Sequence, residues 1–434
     1  MGTGSLRIKG AVHRPGHLPA APRTARGARI YWRPFTGVLL IAIKSARFAR
    51  LGAAGLALLA GLLCGAVPVR DALAQPGALP LPTPPAINAR AWMLVDHDTG
   101  QVLTAQAADE RVEPASLTKL MTAYLAFNAI RQKRLAPTQV VPISDRARKA
   151  IGSRMFIDQR VPVTVDELLR GMIVQSGNDA SIALAEAVAG GEDAFAAAMT
   201  REAQRLGMRN TAFLNATGLP DAGHYSSAAD LARLASAILR DFPEFYPLYS
   251  LRDYTYNKIR QPNRNRLLLL DPSVDGMKTG HTEAAGWCLV SSARRGERRL
   301  VAVVLGAPSE SARIAESQKL LNFGFQFYDN FRLYAPRQAV GSLEVWKGSS
   351  RQIKAGFESG LMVTLPAGSG PRVKAELESV QPLMAPVAAG QRVGTLRLTL
   401  DGRPLAEYPV VALEAVEVAN VLRRAWDGLR LMFK

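Results

Sequence analysis

A serine and a lysine three residues apart form the first candidate pair of reactive side chains in this 434-residue chain. Ser116 and Lys119 lie where the polar segment Glu113–Ala115 leads into apolar residues at helical spacing. Residues three apart share a face of a helix. A neutral lysine amine can take the proton of the serine hydroxyl if burial or a nearby positive charge lowers the pKa of that amine. Alone, an S-x-x-K pair is in most cases only a helix-capping serine followed by a surface lysine.

Two further motifs supply groups that such a serine would need. Ser176-Gly177-Asn178 follows in a predicted turn between two helices, and Lys278-Thr279-Gly280 stands at the start of a predicted strand pair. Each motif alone is explained by a cap or a turn. Together and in this order the three motifs are typical of serine acyl-transfer enzymes of the penicillin-recognising class.

The residue types predict a role for each polar side chain. Ser116 is the predicted nucleophile and Lys119 its base. Ser176 can relay a proton to the leaving amine, and Asn178 can hold Lys119 and the substrate amide. Lys278 adds a positive charge, which we expect to lower the pKa of Lys119 and to attract a carboxylate.

The strand that follows Lys278 is predicted to bind the substrate backbone. Thr279 can donate a hydrogen bond to the substrate carboxylate, and Gly280 lets an extended chain lie along the strand edge. The backbone N–H groups of Ser116 and His281 are the predicted oxyanion hole. Glu283, further along, is interpreted as a rim residue.

No cofactor is expected. His97, His224 and His281 lack the spacing of a metal site such as H-E-x-x-H, and the chain has no phosphate-binding loop of the G-x-x-x-x-G-K type.

The charge of the chain is concentrated at its N-terminus. The formal net charge is +18, but residues 1–50 contain ten lysines and arginines and no acidic residue. The remainder carries only about +8, so the basic composition is weak evidence for a nucleic-acid partner, and none is expected.

Residues 43–74 resemble a secretory signal peptide. Basic residues precede an apolar run from Leu51 to Val67, and Ala72-Leu73-Ala74 is a small-x-small cleavage pattern. The alternative is an uncleaved anchor, although Pro68 leaves the run at the short end for spanning. Residues 1–42 are predicted to be a disordered basic extension or a start assigned too far upstream, and the Pro-rich residues 75–88 a linker.

The periodicity of residues 89–333 predicts an α+β domain. A hairpin is predicted over residues 91–104, five helices over residues 116–239, two core strands over residues 287–305 and a long helix over Arg313–Phe331. Strands at both ends of a helical segment indicate an antiparallel sheet covered by a helical cluster.

The C-terminal part of the chain shows two further sequence patterns, one typical of strands and one typical of an amphipathic helix. Residues 334–413 show short strand-like runs between Gly and Pro turns, which predict a small all-β domain. Residues 414–434 contain a predicted amphipathic helix over Glu417–Lys434, with apolar residues on one stripe and basic residues mostly off it. Such a helix suits an anionic membrane surface, or else packs on its own domain.

The residues around the three motifs closely resemble the low-molecular-mass penicillin-binding proteins that act as D-alanyl-D-alanine carboxypeptidases. The similar segments are Pro-Ala-Ser-Leu-Thr-Lys-Leu-Met-Thr (114–122), Gln-Ser-Gly-Asn-Asp-Ala (175–180) and Asp-Gly-Met-Lys-Thr-Gly-His-Thr (275–282). The resemblance covers about residues 89–415. It implies a serine β-lactamase/transpeptidase-like domain followed by a small β-domain.

The resemblance also implies an activity and a location. The implied reaction removes the terminal D-alanine from peptidoglycan stem pentapeptides through an acyl-enzyme on Ser116, and β-lactams would acylate the same serine. The family anchors itself by a C-terminal amphipathic helix on the periplasmic face of the cytoplasmic membrane. It also uses an arginine upstream of the Lys-Thr-Gly motif to bind the substrate carboxylate. That role falls on Arg264, with Arg266 as the alternative.

Three other functions remain open at this point. A β-lactamase would share the motifs, but a glutamate in the E-x-x-x-N arrangement is missing between Ser176 and Lys278. A D,D-endopeptidase of the same class usually lacks the small β-domain and the anchor. A non-catalytic envelope protein that binds stem peptides would not need all the motif residues.

Overall fold

The structure is a computed structural model that describes residues 4–8 and 82–432. Gly4–Ile8 forms a strand, β1, at the edge of the sheet of the small C-terminal domain. The predicted signal peptide lies outside the described residues, as does the predicted N-terminal extension apart from residues 4–8. Within the described ranges no helix is both long enough and apolar enough to cross a membrane.

The first domain contains five main strands, one short hairpin and eight helices among the described residues. In chain order these are β2 (Ala91–Asp96), β3 (Val102–Gln106), α1 (Lys119–Arg131), α2 (Asp145–Arg148), α3 (Val165–Val174), α4 (Asn178–Ala189), α5 (Glu192–Arg205), α6 (Ala228–Asp241), β4 (Asp253–Tyr256), β5 (Ile259–Pro262), α7 (Leu267–Leu270), β6 (Val274–Thr282), β7 (Gly286–Arg295), β8 (Arg298–Ala307) and α8 (Glu310–Phe327).

The predicted antiparallel sheet with strands from both chain ends is confirmed. Its order is β3-β2-β8-β7-β6, so the N-terminal hairpin pairs directly with the late strand β8. Every residue of β2 is buried, because helices cover both faces of the sheet. Leu320 and Leu321 of α8 pack with Leu94 and Leu300 on one face, while α6 contacts β2 and β8 from the helical cluster. The strand β6 is left at the edge.

A capping box determines where α3, the helix before the second motif, begins. Thr164 accepts a hydrogen bond from the backbone N–H of Glu167, and the Glu167 side chain accepts one from the backbone of Thr164, which completes the predicted capping box. The helix α3 then buries Leu168, Leu169 and Met172 and ends just before Ser176.

The predicted long helix is present as α8, but both of its ends lie earlier in the chain than predicted. It spans Glu310–Phe327 rather than Arg313–Phe331, because Ser309 caps its N-terminus by accepting a hydrogen bond from Ala312 N–H. At its other end, the residues after Phe327 form a strand that pairs with Leu361–Pro366. Strand pairing therefore overrides the helical spacing of the apolar residues.

The second domain is the predicted small all-β domain. Its strands are β9 (Tyr328–Tyr334), β10 (Ala339–Trp346), β11 (Gln352–Gly356), β12 (Leu361–Pro366), β13 (Val373–Ser379), β14 (Leu383–Met384), β15 (Arg392–Leu400) and β16 (Arg403–Ala412). The described part of the large sheet has the order β1-β13-β15-β16-β11-β10-β14, and β12 pairs with β9. Their inward residues, such as Leu343, Ile353, Leu396 and Val410, form a separate core.

The terminal helix α9 spans Val421–Leu431 and begins later than predicted. Val416 and Val418 instead form isolated β-bridges with Val387 and Gly348. Asn420 then caps the helix by accepting a hydrogen bond from the backbone N–H of Arg423.

Candidate active site

Ser116 lies on a tight turn that feeds the first helix. A 3₁₀ turn spans Ala115–Thr118, and α1 begins at Lys119. The Lys119 Nζ atom lies 2.9 Å from the Ser116 Oγ atom. The structure thus brings the predicted nucleophile and base into hydrogen-bond contact, although Ser116 is on the turn and not inside the helix.

Lys119 is surrounded by acceptors and closed off from water. Its Nζ atom also donates to Asn178 Oδ1 at 2.7 Å and to the Thr217 carbonyl oxygen at 2.6 Å. The residue is 1% exposed. Burial lowers the pKa of the Lys119 amine to about 7, against a smaller opposing effect of the Asp179 carboxylate. A large fraction of the amine is therefore neutral near pH 7.

The second motif is held in place by Asp179, a residue that the sequence analysis did not single out. Asp179 accepts hydrogen bonds from the backbone N–H groups of Met155, Phe156 and Ile157, which pins this loop beside the start of α4. Asn178 Nδ2 donates to the Ile151 carbonyl oxygen in the same region at 2.7 Å, so its amide is fixed with the oxygen toward Lys119.

Ser176 occupies the turn before this helix in a left-handed conformation, with φ of 65°. Its Oγ atom is buried and has no hydrogen-bond partner among the described residues. A hydroxyl in this state keeps its donor and acceptor capacity for a ligand.

Lys278 and Thr279 lie side by side on the edge strand β6. Lys278 is 2% exposed, and its Nζ atom donates to the Thr279 carbonyl oxygen at 2.9 Å. Burial lowers the pKa of Lys278 well below its ordinary value, and the positive charges of Lys119, Arg313 and Arg264 lower it further. The expected charge effect between the two lysines therefore acts on Lys278, while burial is what lowers the pKa of Lys119.

Gly280 and His281 bring the edge strand against the nucleophile turn. A Cβ atom at Gly280 would lie 3.0 Å from the Pro114 carbonyl oxygen and 3.3 Å from the Ala115 Cβ atom. The absence of a side chain therefore permits this close approach. The exposed ring of His281 stacks on Trp287, with 4.0 Å between ring centroids.

Arg264 and Arg266 are both exposed, but they differ in their surroundings. The charge of Arg264 contributes to the lowered pKa values of both Lys278 and Arg313. Arg266 instead precedes α7 at its N-terminus. The structure therefore places Arg264, and not Arg266, in the electrostatic neighbourhood of Lys278.

Arg313 is a further cation that sequence reasoning missed. It is 3% exposed on α8, its guanidinium lies 4.9 Å above the Trp287 ring, and its Nη1 atom donates to the Gly280 carbonyl oxygen at 3.4 Å. A single arginine in a predicted helix gives no signal in the sequence, because its placement behind β6 depends on packing.

The turn Asn215–Gly218 was also missed. Asn215 Oδ1 accepts hydrogen bonds from Thr217 N–H at 3.1 Å and Gly218 N–H at 2.7 Å, and the turn presents the Thr217 carbonyl to Lys119. A Cβ atom at Gly218 would lie 1.8 Å from the Ala115 carbonyl oxygen. The Asn-x-x-Gly spacing was the available signal for a turn.

His224 supports the same region from behind. Leu214 N–H donates to His224 Nδ1 at 3.2 Å, so the proton of the neutral ring lies on Nε2, which is 2.8 Å from Thr118 Oγ1. Burial lowers the pKa of His224 to about 4. The neutral ring therefore stabilises the nucleophile turn through its hydrogen bond to Thr118 and does not act as a base.

These groups can perform serine acyl transfer. The neutral Lys119 amine can accept the Ser116 proton, Ser176 can pass a proton on, and the edge of β6 can bind an extended chain. Lys278, Arg264 and Arg313 concentrate positive charge at one end of that edge, where a carboxylate would bind. Among the described residues, no group of three or more His, Cys, Asp or Glu side chains could hold a metal ion.

Helices on both faces of an antiparallel sheet, followed by a small all-β domain, give the fold of the penicillin-binding proteins. The chain belongs to the D-alanyl-D-alanine carboxypeptidase family of serine peptidases, which matches residues 80–309. Residues 328–418 match the C-terminal domain of penicillin-binding protein 5. The expected family and fold class are therefore confirmed.

Individual relatives agree with this assignment. D-alanyl-D-alanine carboxypeptidase DacC of Escherichia coli (strain K12) is 40% identical over 357 residues, which cover 80% of this chain and 89% of the relative. The crystal structure of penicillin-binding protein 5 from Haemophilus influenzae is similar with a TM-score of 0.75 and 40% identity, covering 77% of this chain and 99% of that chain. Penicillin-binding protein D2 from Listeria monocytogenes, solved in an ampicillin-bound form, is 31% identical with a TM-score of 0.52 and covers 56% and 100%.

Proposed function

We propose that the protein is a serine-type D-alanyl-D-alanine carboxypeptidase that removes the terminal D-alanine from peptidoglycan stem pentapeptides. The observation that carries the proposal is the 2.9 Å contact between Ser116 Oγ and the buried Lys119 Nζ. Membership of the carboxypeptidase family supports the choice of substrate.

The reaction follows from the placement of the groups. The substrate carboxylate binds at the Lys278, Thr279 and Arg264 end of the edge strand. Lys119 removes the Ser116 proton as Ser116 Oγ attacks the carbonyl carbon of the penultimate D-alanine. The oxyanion is stabilised by the backbone N–H groups of Ser116 and His281.

The tetrahedral intermediate then expels D-alanine. Ser176, whose buried hydroxyl has no hydrogen-bond partner among the described residues, carries the proton that Lys119 took from Ser116 to the leaving nitrogen, which leaves Lys119 neutral again. Water hydrolyses the acyl-enzyme with Lys119 again as base, which releases the shortened peptide and restores Ser116.

The test uses the full chain and three substrates: a pentapeptide ending in D-Ala-D-Ala, a cross-linked dimer and benzylpenicillin. Release of D-alanine from the pentapeptide, together with a penicillin adduct located on Ser116 by mass spectrometry, is the expected result. Faster cleavage of the dimer would instead identify an endopeptidase, and rapid penicillin turnover a β-lactamase. A folded protein with no adduct on Ser116 would refute the proposal.

We further propose that the protein is exported and acts at the periplasmic face of the cytoplasmic membrane. Residues 43–74 have the order of a signal peptide. N-terminal sequencing of the mature protein should find Gln75 as the first residue; a chain that retains residues 43–74 would contradict cleavage.

The packing of α9 supports attachment to a membrane surface. The helix contacts the small domain through its polar side: the Asp427 carboxylate, 5% exposed, accepts a hydrogen bond from Lys347 N–H at 2.8 Å, and Arg423 donates to the Ser349 carbonyl oxygen at 2.9 Å. Its apolar residues face solvent instead; they are Val421, Leu422, Trp426, Leu429 and Met432. A surface of this kind, with arginines on the polar side, suits the interface of an anionic bilayer.

Vesicle sedimentation tests this attachment. The mature chain that begins at Gln75 should bind vesicles containing phosphatidylglycerol, and Leu422→Glu should weaken binding roughly tenfold or more, because burial of a leucine contributes about 1.5–3 kcal/mol. Val380→Glu is the matched control, since Val380 is also an exposed apolar residue but lies outside α9. Equal binding by the two variants would contradict the role of α9.

A further inference from the structure

The carbonyl group of Thr217, which accepts a hydrogen bond from the Lys119 amine at 2.6 Å, lies in a segment without a helix or strand. Carbonyl groups in such segments keep a fixed direction only where other groups hold the neighbouring backbone. Here the neighbouring residue is Ala216, which is fully buried, and its N–H and C=O are both hydrogen-bonded to side chains. The direction of the Thr217 carbonyl therefore depends on the side chains that hold Ala216.

Those two side chains come from different helices. Glu192 is the first residue of α5, and its Oε1 atom accepts a hydrogen bond from Ala216 N–H at 3.0 Å. Thr122 lies on α1, and its Oγ1 atom donates to the Ala216 carbonyl oxygen at 2.8 Å. Both side chains belong to buried residues. Because α1 also carries Lys119, Ala216 is fixed directly against the helix of the candidate base.

The Glu192 carboxylate places one oxygen toward the surface and the other toward the interior. Its Oε2 atom pairs with the guanidinium of Arg146 on α2, whose side chain is 59% exposed, whereas the Glu192 side chain is 4% exposed. The arginine offsets the charge of the buried carboxylate. The Oε1 atom remains for Ala216 N–H, a buried group that would cost about 1–3 kcal/mol if it were left unpaired.

A simpler explanation of Glu192 is its place in the first turn of a helix. Acidic residues are common there, because the N-terminus of a helix carries a partial positive charge. Asp193 is a second acid in the same turn, but it is exposed, while Glu192 is buried against Ala216. The two acids therefore allow the effect of first-turn charge to be separated from the effect of the contact with Ala216.

On the basis of the proposed acyl transfer with Lys119 as the base, we propose that Glu192 is a positioning residue for Lys119. Through Ala216 it fixes the Thr217 carbonyl, which holds the lysine amine within reach of Ser116. Glu192 acts through this backbone segment and not by contact with the substrate.

The test measures acylation by a fluorescent penicillin over a range of concentrations, which separates the acylation rate constant from the dissociation constant of the initial complex. Glu192→Met keeps the length of the side chain and removes the acceptor. It should lower the rate constant roughly tenfold or more, because displacement of a reacting group by about 1 Å can cost about 100-fold. The dissociation constant should stay unchanged, since Lys278 and Arg264, which we expect to bind the carboxylate, are not altered.

Four further variants separate the possible causes. Glu192→Gln keeps an acceptor oxygen for Ala216 N–H and should restore most of the rate constant. Arg146→Ala removes the ion pair but keeps that acceptor, and Asp193→Asn removes the other acid of the first turn; both should acylate like the wild type. Thr122→Val removes the donor to the Ala216 carbonyl and should lower the rate constant without changing the dissociation constant.

A normal rate constant in folded Glu192→Met, or an equally low one in Glu192→Gln, Arg146→Ala or Asp193→Asn, overturns the assignment of Glu192. A rise in the dissociation constant that accounts for the whole loss does the same. Should Glu192→Met not fold, a normal rate constant in Thr122→Val overturns the assignment instead. In all these cases the wild type still acylates, whereas a wild type without an adduct on Ser116 would refute the proposed function itself.

Discussion

Lys119 is both fully buried and a candidate base, and the first property makes the second possible. Burial disfavours the ammonium form, so the pKa of Lys119 falls to about 7. Asn178 Oδ1 and the Thr217 carbonyl oxygen accept hydrogen bonds from its amine and fix its position, which leaves the nitrogen lone pair of the neutral form for the Ser116 hydroxyl at 2.9 Å. The reactivity of the pair thus follows from desolvation and geometry at one residue.

Acylation should therefore depend on pH through Lys119. The neutral amine is the reactive form, so the rate of acylation should fall about tenfold per pH unit below the pKa of about 7 and level off above it. The measurement is the second-order rate constant with a fluorescent penicillin between pH 5 and 9. A rate that is flat over this range would exclude Lys119 as the base.

Lys278→Met tests which factor lowers the pKa of Lys119. Removal of the amine should reduce the acylation rate by about 30-fold or more, because the penicillin carboxylate, which we expect Lys278 to bind, would lose its charged partner at a cost of about 2–5 kcal/mol. The midpoint of the pH profile should stay near 7, since burial and not Lys278 lowers the pKa of Lys119. A midpoint that moves up by a unit or more would show that the charge of Lys278 is needed.

At the scale of elements, the site is the meeting point of a turn and a strand edge. The turn Asn215–Gly218 packs against the backbone of Ala115, and Gly280 of β6 packs against the Ala115 side chain and the Pro114 carbonyl oxygen. Both contacts require glycine at the point of approach. The position of Ser116 is therefore set by two elements that are about 100 residues or more away from it in the chain.

Gly218→Ala should abolish most of the activity. Its Cβ atom would overlap the Ala115 carbonyl oxygen, and displacement of the nucleophile by about 1 Å can reduce a rate about 100-fold. Gly207→Ala is the matched control: Gly207 has φ of +78°, close to the +82° of Gly218, but a Cβ atom there would meet nothing within 4 Å.

The control variant should lose about 1–2 kcal/mol of unfolding free energy from backbone strain alone and acylate normally. Penicillin acylation and thermal unfolding, measured on both variants, separate the two effects. Equal acylation rates would show that the contact with Ala115 does not position Ser116.

At the scale of the whole molecule, a buried polar network joins the two domains. The Asp96 carboxylate of β2 accepts hydrogen bonds from Arg298 Nε at 2.8 Å and from Asn330 Nδ2 of the small domain at 3.2 Å. Thr99 Oγ1 lies 2.6 Å from Thr364 Oγ1, also of the small domain. Since Asp96 is fully buried, this junction is a stable connection between the catalytic domain and the domain that carries α9.

Asp96→Ala should lower the unfolding free energy by about 3–5 kcal/mol, because it leaves the Arg298 guanidinium buried without its partner. Acylation of the folded variant should be unaffected, since Asp96 lies in the domain junction and not among the catalytic groups. Asp253→Ala is the control: Asp253 pairs with the exposed Arg260, and the loss of an exposed pair should have little effect on stability. Denaturant unfolding measures both, and a smaller effect for Asp96 would contradict the network.

Features that depend on residues close together in the sequence were predicted well. The capping box at Thr164, the strands with period-two spacing and the three motifs all depend on neighbouring residues, and each was identified from its spacing. The end of α8 at Phe327 was not, because it depends on pairing of Tyr328–Tyr334 with a strand that comes later in the chain.

The sequence by itself therefore determined the family, the domain types and the side chains that could react. Only the tertiary structure decided how they act together: that burial lowers the pKa of Lys119, that Thr217, Gly218 and Arg313 complete the site, and that Arg264 is the arginine near Lys278. The physical reason is that burial, close approach and electrostatic distance depend on segments far apart in the chain, whereas a motif records only the residues next to one another.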